Sequence, residues 1–268
     1  MHSFRVAKTV GTFSELSQGR RALVLLVAFA FALQGSYIIG PTGPSPITPS
    51  LGIPKFIQAA EGHSSGTPTS LTVTLGSTPS VGDVVMIGLF GNGITTTTIQ
   101  TAQLSDNQAS GGNAYSAVRA QPVANFISAA LWCGPVVSAS GTFTVTATLS
   151  TNGLVGLFAL EYSGQSCNQE KVAGAQTATS PYNCGTVTTV NANDLLLTLL
   201  YTPSATGTST FTAPTGFTIE KSQAVAATGQ VASIADNIVA ATGTFTPTYS
   251  SSQNLANSQC VLVAIMSR

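Results

Sequence analysis

The sequence predicts an all-β exported protein. The expected fold is an antiparallel β-sandwich, jelly-roll-like, built from two degenerate half-repeats and preceded by an N-terminal hydrophobic export helix. Three observations carry this expectation. The 268 residues hold only nine basic and nine acidic side chains, 7% charged against 43% hydrophobic, while 37 Thr and 30 Ser supply the polarity. From residue 55 onward no helical period runs through the chain, and short β-branched runs alternate with Gly, Pro, Asn and Ser clusters. A basic stretch followed by an unbroken apolar run opens the sequence.

The charge balance also excludes classes of function. A nucleic-acid binder needs a basic stripe to neutralise phosphates, a coiled coil needs charged flanking positions, and an acidic disordered tail needs net charge. None fits a chain of which only 7% is charged, with nine basic and nine acidic side chains.

Taken in order, residues 1–40 read as a signal peptide or signal anchor. Arg5, Lys8, Arg20 and Arg21 precede Ala22–Leu33, twelve apolar residues, within the about 7–15 expected of a secretory apolar region. Ala28, Ala30 and Ala32 offer small-residue cleavage positions, whereas extension through Tyr37, Ile38 and Ile39 would make an uncleaved anchor. Both readings place the remainder outside the cytoplasm, with membrane contact only through this segment if it is retained. Residues 41–54 carry five prolines (Pro41, Pro44, Pro46, Pro49 and Pro54) and read as a semi-rigid linker.

Residues 55–268 form the predicted sandwich. Leu71–Leu75 and Thr142–Leu149 alternate hydroxyl and apolar side chains, which suits a sheet with one wet face. Val84–Phe90, Val155–Leu160, Leu195–Tyr201 and Cys260–Ile265 are continuously apolar and suit strands covered on both faces. Gly88–Gly93 reads as a hairpin turn rather than a phosphate cradle, because its glycines are in the wrong order and no helix follows.

The chain also echoes itself. Ser80–Met86 resembles Asn191–Leu197, Ser140–Thr146 resembles Thr242–Thr248, and Phe126–Leu131 parallels Val231–Asp236. Two half-repeats of approximately 53–163 and 164–268 follow. One sandwich from two half-units is preferred over two tandem immunoglobulin-like domains, because no Pro- or Gly-rich linker separates the halves.

Phe56–Ala60, Gly82–Ile87, Leu104–Asn107 with Gly112–Tyr115, Ser140–Thr146 and Leu160–Gly164 occur in this order. In these motifs the chain resembles a loosely defined class of secreted bacterial β-sandwich modules common in large exoproteins. The resemblance implies a fold and a compartment, and no catalytic residue. That class often carries an uninterrupted Asp-Ser-x-Gly-Asn-x-Tyr turn; here Asp106 and Asn113 are spread apart, so no detail of that turn is transferred.

Four cysteines, Cys133, Cys167, Cys184 and Cys260, lie in the exported part, and an even number there predicts two disulfides. The expected pairing is 167–184 with 133–260, since Cys167 and Cys184 flank a turn-rich stretch. No Cys-x-x-Cys occurs, and His63 is the only histidine past the export segment, which argues against zinc or an imidazole-dependent nucleophile.

Other sites are weighed by chemistry. Asp106, Asn107 and Asn113 cluster oxygens on a Gly-rich loop, a weak calcium motif with one carboxylate. Trp132, Tyr115 and Tyr182 are the candidate sugar-stacking aromatics. Glu161 is the acid best placed for hydrolysis, read first as a solvent-facing strand residue. Asp83 and Asp194 occupy equivalent positions just before buried strands, which points to a turn role in both halves.

The function expected first is a non-catalytic exported structural, adhesive or surface-assembly module with no cofactor. Its partner would be an extracellular polymer or protein. The alternatives are a carbohydrate-binding module using Trp132 and surface tyrosines, and, more remotely, a polysaccharide hydrolase.

Overall fold

The structure, a computed structural model, describes residues 53–92, 102–108, 112–121, 127–177, 179–203, 209–225 and 229–268. Residues 1–40 and 41–52, where an export segment and most of a linker are expected, together with Gly93 and Phe126, lie outside the described residues.

Every regular element among the described residues is a β-strand. The first half holds β1 (Lys55–His63), β2 (Ser70–Thr74), β3 (Val84–Asn92), β4 (Gln103–Asp106), β5 (Ser116–Gln121), β6 (Ile127–Pro135), β7 (Thr144–Thr148) and β8 (Leu154–Ser163). The second holds β9 (Gln165–Thr177), β10 (Tyr182–Asn183), β11 (Val187–Thr188), β12 (Leu195–Thr202), β13 (Phe211–Thr212) and β14 (Thr218–Val225). It continues with β15 (Gln230–Ile238), β16 (Thr244–Phe245), β17 (Thr248–Ser251) and β18 (Ser258–Ser267).

Two five-stranded antiparallel sheets carry the fold. Sheet I has the order β1-β8-β3-β6-β5, and sheet II, read from its β9 edge, has the order β9-β18-β12-β15-β14. Smaller sheets complete the set: β2-β7-β4 in the first half, and β10-β17-β13 with β11-β16 in the second. All pairing within each five-stranded sheet comes from one half of the chain.

The apolar runs explain the layering. β3 is hydrogen-bonded on both sides, to β6 and β8, over its whole length. Its alternate side chains enter two different cores. Val84, Met86 and Phe90 join Leu195, Leu197, Leu199 and Tyr201 of β12 in one buried cluster shared by sheets I and II. Val85, Ile87 and Leu89 turn the other way and pack with Val73 of β2 and Val145 of β7. In sheet II, Leu196 and Leu200 face Tyr182, Phe211 and Tyr249 of the small strands. A strand buried on both faces has no position for a polar alternation, and so reads as a continuous apolar run.

The two large sheets meet closely because glycines sit where they touch. A Cβ at Gly88 would lie 3.1 Å from Ile234 Cδ1 and 3.5 Å from Leu199. Gly88–Asn92 is therefore strand rather than the expected hairpin turn: the glycine is selected by the neighbouring sheet, not by a bend. At Gly156 a Cβ would overlap the Phe90 ring, which stacks 5.1 Å from Phe158 and reaches across to Tyr201 at 5.3 Å.

Two disulfides are present, but the pairing is Cys133–Cys167 and Cys184–Cys260, not the pairing expected from sequence. Strand parity gives the reason. Cys133 on β6 faces the core between the sheets, whereas Cys260 on β18 faces the outer layer with Leu262 and Ala264. The two therefore lie on opposite sides of sheet II. Cys167 on β9 meets Cys133 and ties sheet II to sheet I, with Cα atoms 5.5 Å apart. Cys184, just past β10, meets Cys260 and ties the outer strands to sheet II. Such bridges fit an oxidising compartment.

Peptide mapping without reduction is expected to recover the 133–167 and 184–260 links, and the double change Cys133→Ser with Cys167→Ser to cost about 3 kcal/mol in denaturant unfolding. Gly156→Ala is expected to lose about 2–3 kcal/mol by overpacking against Phe90. Gly66→Ala, where a Cβ meets nothing within 4 Å, should remain near wild type.

Candidate functional site

The most densely bonded polar site lies where β4 ends. Asp106 Oδ1 accepts a hydrogen bond from the Gln108 backbone N–H at 3.0 Å, an Asx-type turn. Its Oδ2 accepts from the Asn113 backbone N–H at 3.1 Å, Asn113 Nδ2 at 2.7 Å and the Tyr115 hydroxyl at 3.0 Å. Asn113 Oδ1 in turn accepts from the backbone N–H groups of Val137 at 2.7 Å and Ser138 at 3.1 Å. Asn107 bridges to the strand opposite, donating to Thr142 O at 2.8 Å and accepting from Thr144 N–H at 3.0 Å.

Asp106, Asn113 and Tyr115 thus converge although they are separated in sequence, and the spread that discouraged any transfer of the Asp…Gly-Asn-x-Tyr turn does not part them. Gly112 makes this geometry accessible with φ +64°, a left-handed conformation with Asp106 Oδ1 only 3.1 Å from where a Cβ would stand. Burial and the adjacent Asp106 carboxylate push the Tyr115 phenol far above its ordinary range. The oxygens proposed as calcium ligands are directed at protein donors, so the loop is a hydrogen-bond staple. Among the described residues no group of three or more His, Cys, Asp or Glu is placed to hold a metal ion.

The candidate aromatic platform is not assembled. Trp132 is 6% exposed and packs on the outer face of sheet I beneath β2-β7-β4. Tyr182 is also buried; its hydroxyl donates to Gln253 O at 3.1 Å and accepts from Leu255 N–H at 2.7 Å, fixing a corner. Tyr115 is half-buried, with its ring over Gly134, where a Cβ would stand 2.5 Å from Cδ1. Period-two alternation places Trp132 opposite Leu131 and Cys133 in either case, but only the third layer decides that both faces of β6 are covered.

The acids are paired with one another. Glu161 is buried, contrary to its expected solvent-facing position, because the loop leading into β3 closes over it. It accepts from Ser80 N–H at 3.1 Å and from Gln58 Nε2 at 2.5 Å, and it contacts the Asp83 carboxyl. Burial first, and then Glu161, raise Asp83 to about 6, with Arg268 opposing.

The second half repeats the arrangement with a different partner. Asp194 is fully buried before β12 and is raised to about 7 by burial and by Glu170 of β9, which also accepts from the Val190 backbone N–H. The strand-start role expected of Asp83 and Asp194 shows in the backbone too. Val136 N–H donates to Asp83 O at 2.8 Å, and Val239 N–H donates to Asp194 O at 3.0 Å.

A third pair, Glu220 with Asp236, sits against the buried Tyr162 phenol between the large sheets; burial and Asp236 raise Glu220 to about 7. Sequence reading missed Glu170 and Glu220 because β9 and β14 are edge strands without apolar alternation. The recurrence of Asp83 at Asp194 was the signal available.

The accessible surface is of another character. His63 ends β1 exposed, its Nδ1 3.1 Å from Gln223 Nε2 of β14. The outer strands present hydroxyls bonded across the ladder: Thr72 with Thr146 at 2.8 Å, Thr186 with Thr246 at 2.8 Å and Thr188 with Thr244 at 2.9 Å. An open recess of about 490 Å³ lies between residues 190–193 and Met266–Arg268. Comparison with protein-family models, with curated proteins and with solved structures returns no match.

Asp106→Ala is expected to lose about 2–4 kcal/mol in urea unfolding, since four donors lose one charged acceptor, and Tyr115→Phe about 1 kcal/mol.

Proposed function

We propose that this chain is a non-catalytic exported β-sandwich module with a structural, adhesive or surface-assembly role, its two halves being degenerate copies fused through their large sheets. The observation that carries this reading is the division of polar groups. Carboxyl groups are drawn into loop-closing pairs and a hydrogen-bond staple, while the outer sheet faces are uncharged hydroxyl ladders. Such a face makes many weak polar contacts with an extracellular polymer or protein, and it does so without titratable chemistry. Two disulfides that join successive layers suit a scaffold working outside the cytosol. The export segment of residues 1–40 and the linker of 41–54 would deliver the body and hold it away from the membrane.

The matching strand orders of sheets I and II support the duplication. So do the paired left-handed turns before β3 and β12, at Gly82 with φ 100° and Asn193 with φ 65°.

Fractionation of the producing cells is expected to place the protein outside the cytoplasm. Pull-down on a panel of cell-wall polysaccharides and surface proteins should show retention that Thr72→Val with Thr146→Val weakens several-fold without changing Tm by more than about 2 °C. Hydrolysis of any panel polysaccharide, abolished by Glu161→Gln, would overturn the reading.

A further inference from the structure

Residues 55–268 contain eight acidic side chains, and six of them are placed against another acid: Asp83 with Glu161, Asp194 with Glu170, and Glu220 with Asp236. In each pair at least one member is nearly or fully buried, Glu161 at 2%, Asp194 at 0% and Asp236 at 6% exposure. Two carboxyl groups in contact away from water cannot both ionise without repulsion, and a single shared proton converts that repulsion into a hydrogen bond. The second pair shows the need most directly. Both Asp194 oxygens and Glu170 Oε2 are sealed from solvent without a well-formed hydrogen bond from any neutral donor.

One pair faces a cation, Arg268, which opposes the rise at Asp83 without cancelling it; the other two pairs face neutral groups. Asp83 and Glu161 face Arg268 at the end of β18, with neutral Gln58 from β1 and the Ser80 backbone. Asp194 and Glu170 face the backbone N–H groups of Asn191, Ser267 and Val190. Glu220 and Asp236 face the Tyr162 phenol from β8, and Tyr249 of β17 stands near Asp236.

We propose that the three pairs are proton-held clasps that fit this fold to an acidic medium, each closed by one shared proton and opened when that proton leaves. Two clasps hold the loops that lead into the central strands β3 and β12. The third joins β14 and β15 of sheet II to Tyr162 of sheet I. Losing the protons therefore loosens both the loop closures and the contact between the large sheets.

The sign of the linkage follows from the direction of the shifts. Asp83 is raised from 3.8 to about 6, Asp194 from 3.8 to about 7 and Glu220 from 4.5 to about 7. Between those limits the folded chain holds more protons than the unfolded chain, so stability is full below the lower limit and falls as pH rises through the window.

The test is thermal unfolding of the full chain at about pH 4.5 and about pH 8, with calcium chloride and separately with EDTA, alongside Asp194→Asn and Glu220→Gln. The wild type is expected to melt roughly 5 °C or more higher at the acidic pH. Each amide variant, whose N–H₂ donates to the remaining carboxylate at any pH, should raise Tm at the alkaline pH and change it little at the acidic one. A wild-type Tm equal or higher at the alkaline pH overturns the proposal. So does a calcium-dependent rise there that EDTA removes, which would make the pairs cation sites. If a variant fails to fold at both pH values, the wild-type profile and the other variant decide.

Discussion

The contact between the inner faces of sheets I and II is the constraint on which the rest of the molecule depends. Each large sheet is apolar on both faces, so neither can stand alone in water. Each buries one face against small strands of its own half and the other against its counterpart. This explains why β3 and β12 lack polar alternation, why glycine stands at 88 and 156, and why a disulfide spans the interface. Burying a Leu-sized side chain is worth about 1.5–3 kcal/mol, and the shared cluster contains many of them. No single polar bond in the structure is of comparable collective weight.

Against that apolar interior the few ionisable groups stand out by position. Asp106 gathers four donors and organises a loop that the sequence spreads over ten residues, from Asp106 to Tyr115. Asp83 and Asp194 stand before the central strand of each sheet against another acid instead, one that comes from β8 in one half and β9 in the other. The geometry is equivalent and the donor strand is not. A charge-poor exterior and acid-rich joints go together: most of the carboxyl groups close loops or join the two large sheets.

Much of the fold was legible because strand burial writes itself into residue order. All six apolar or alternating runs identified in the sequence are strands, and their boundaries shift by only a few residues. What escaped was set by the third dimension. β9, the longest strand with 13 residues, is an edge with mixed exposure and shows no period. The disulfide pairing depends on which face of sheet II a cysteine occupies, and spacing along the chain carries no such information. Trp132 illustrates the same limit from the other side: alternation assigns it a face, but whether that face is wet depends on a layer formed by residues far away in sequence.

One corner of the fold bears on how the body would take a load. Lys55 pairs with Ser163, and Arg268 N–H donates to Gly164 O at 3.1 Å. The first and last strands thus leave the folded body side by side, at the turn where the chain crosses from sheet I to sheet II. Tension applied between those two exits would load the ladders of β1 and β18 from this corner first. The first rupture would peel β1 from β8, or β18 from β9 and β12, one rung at a time from that corner.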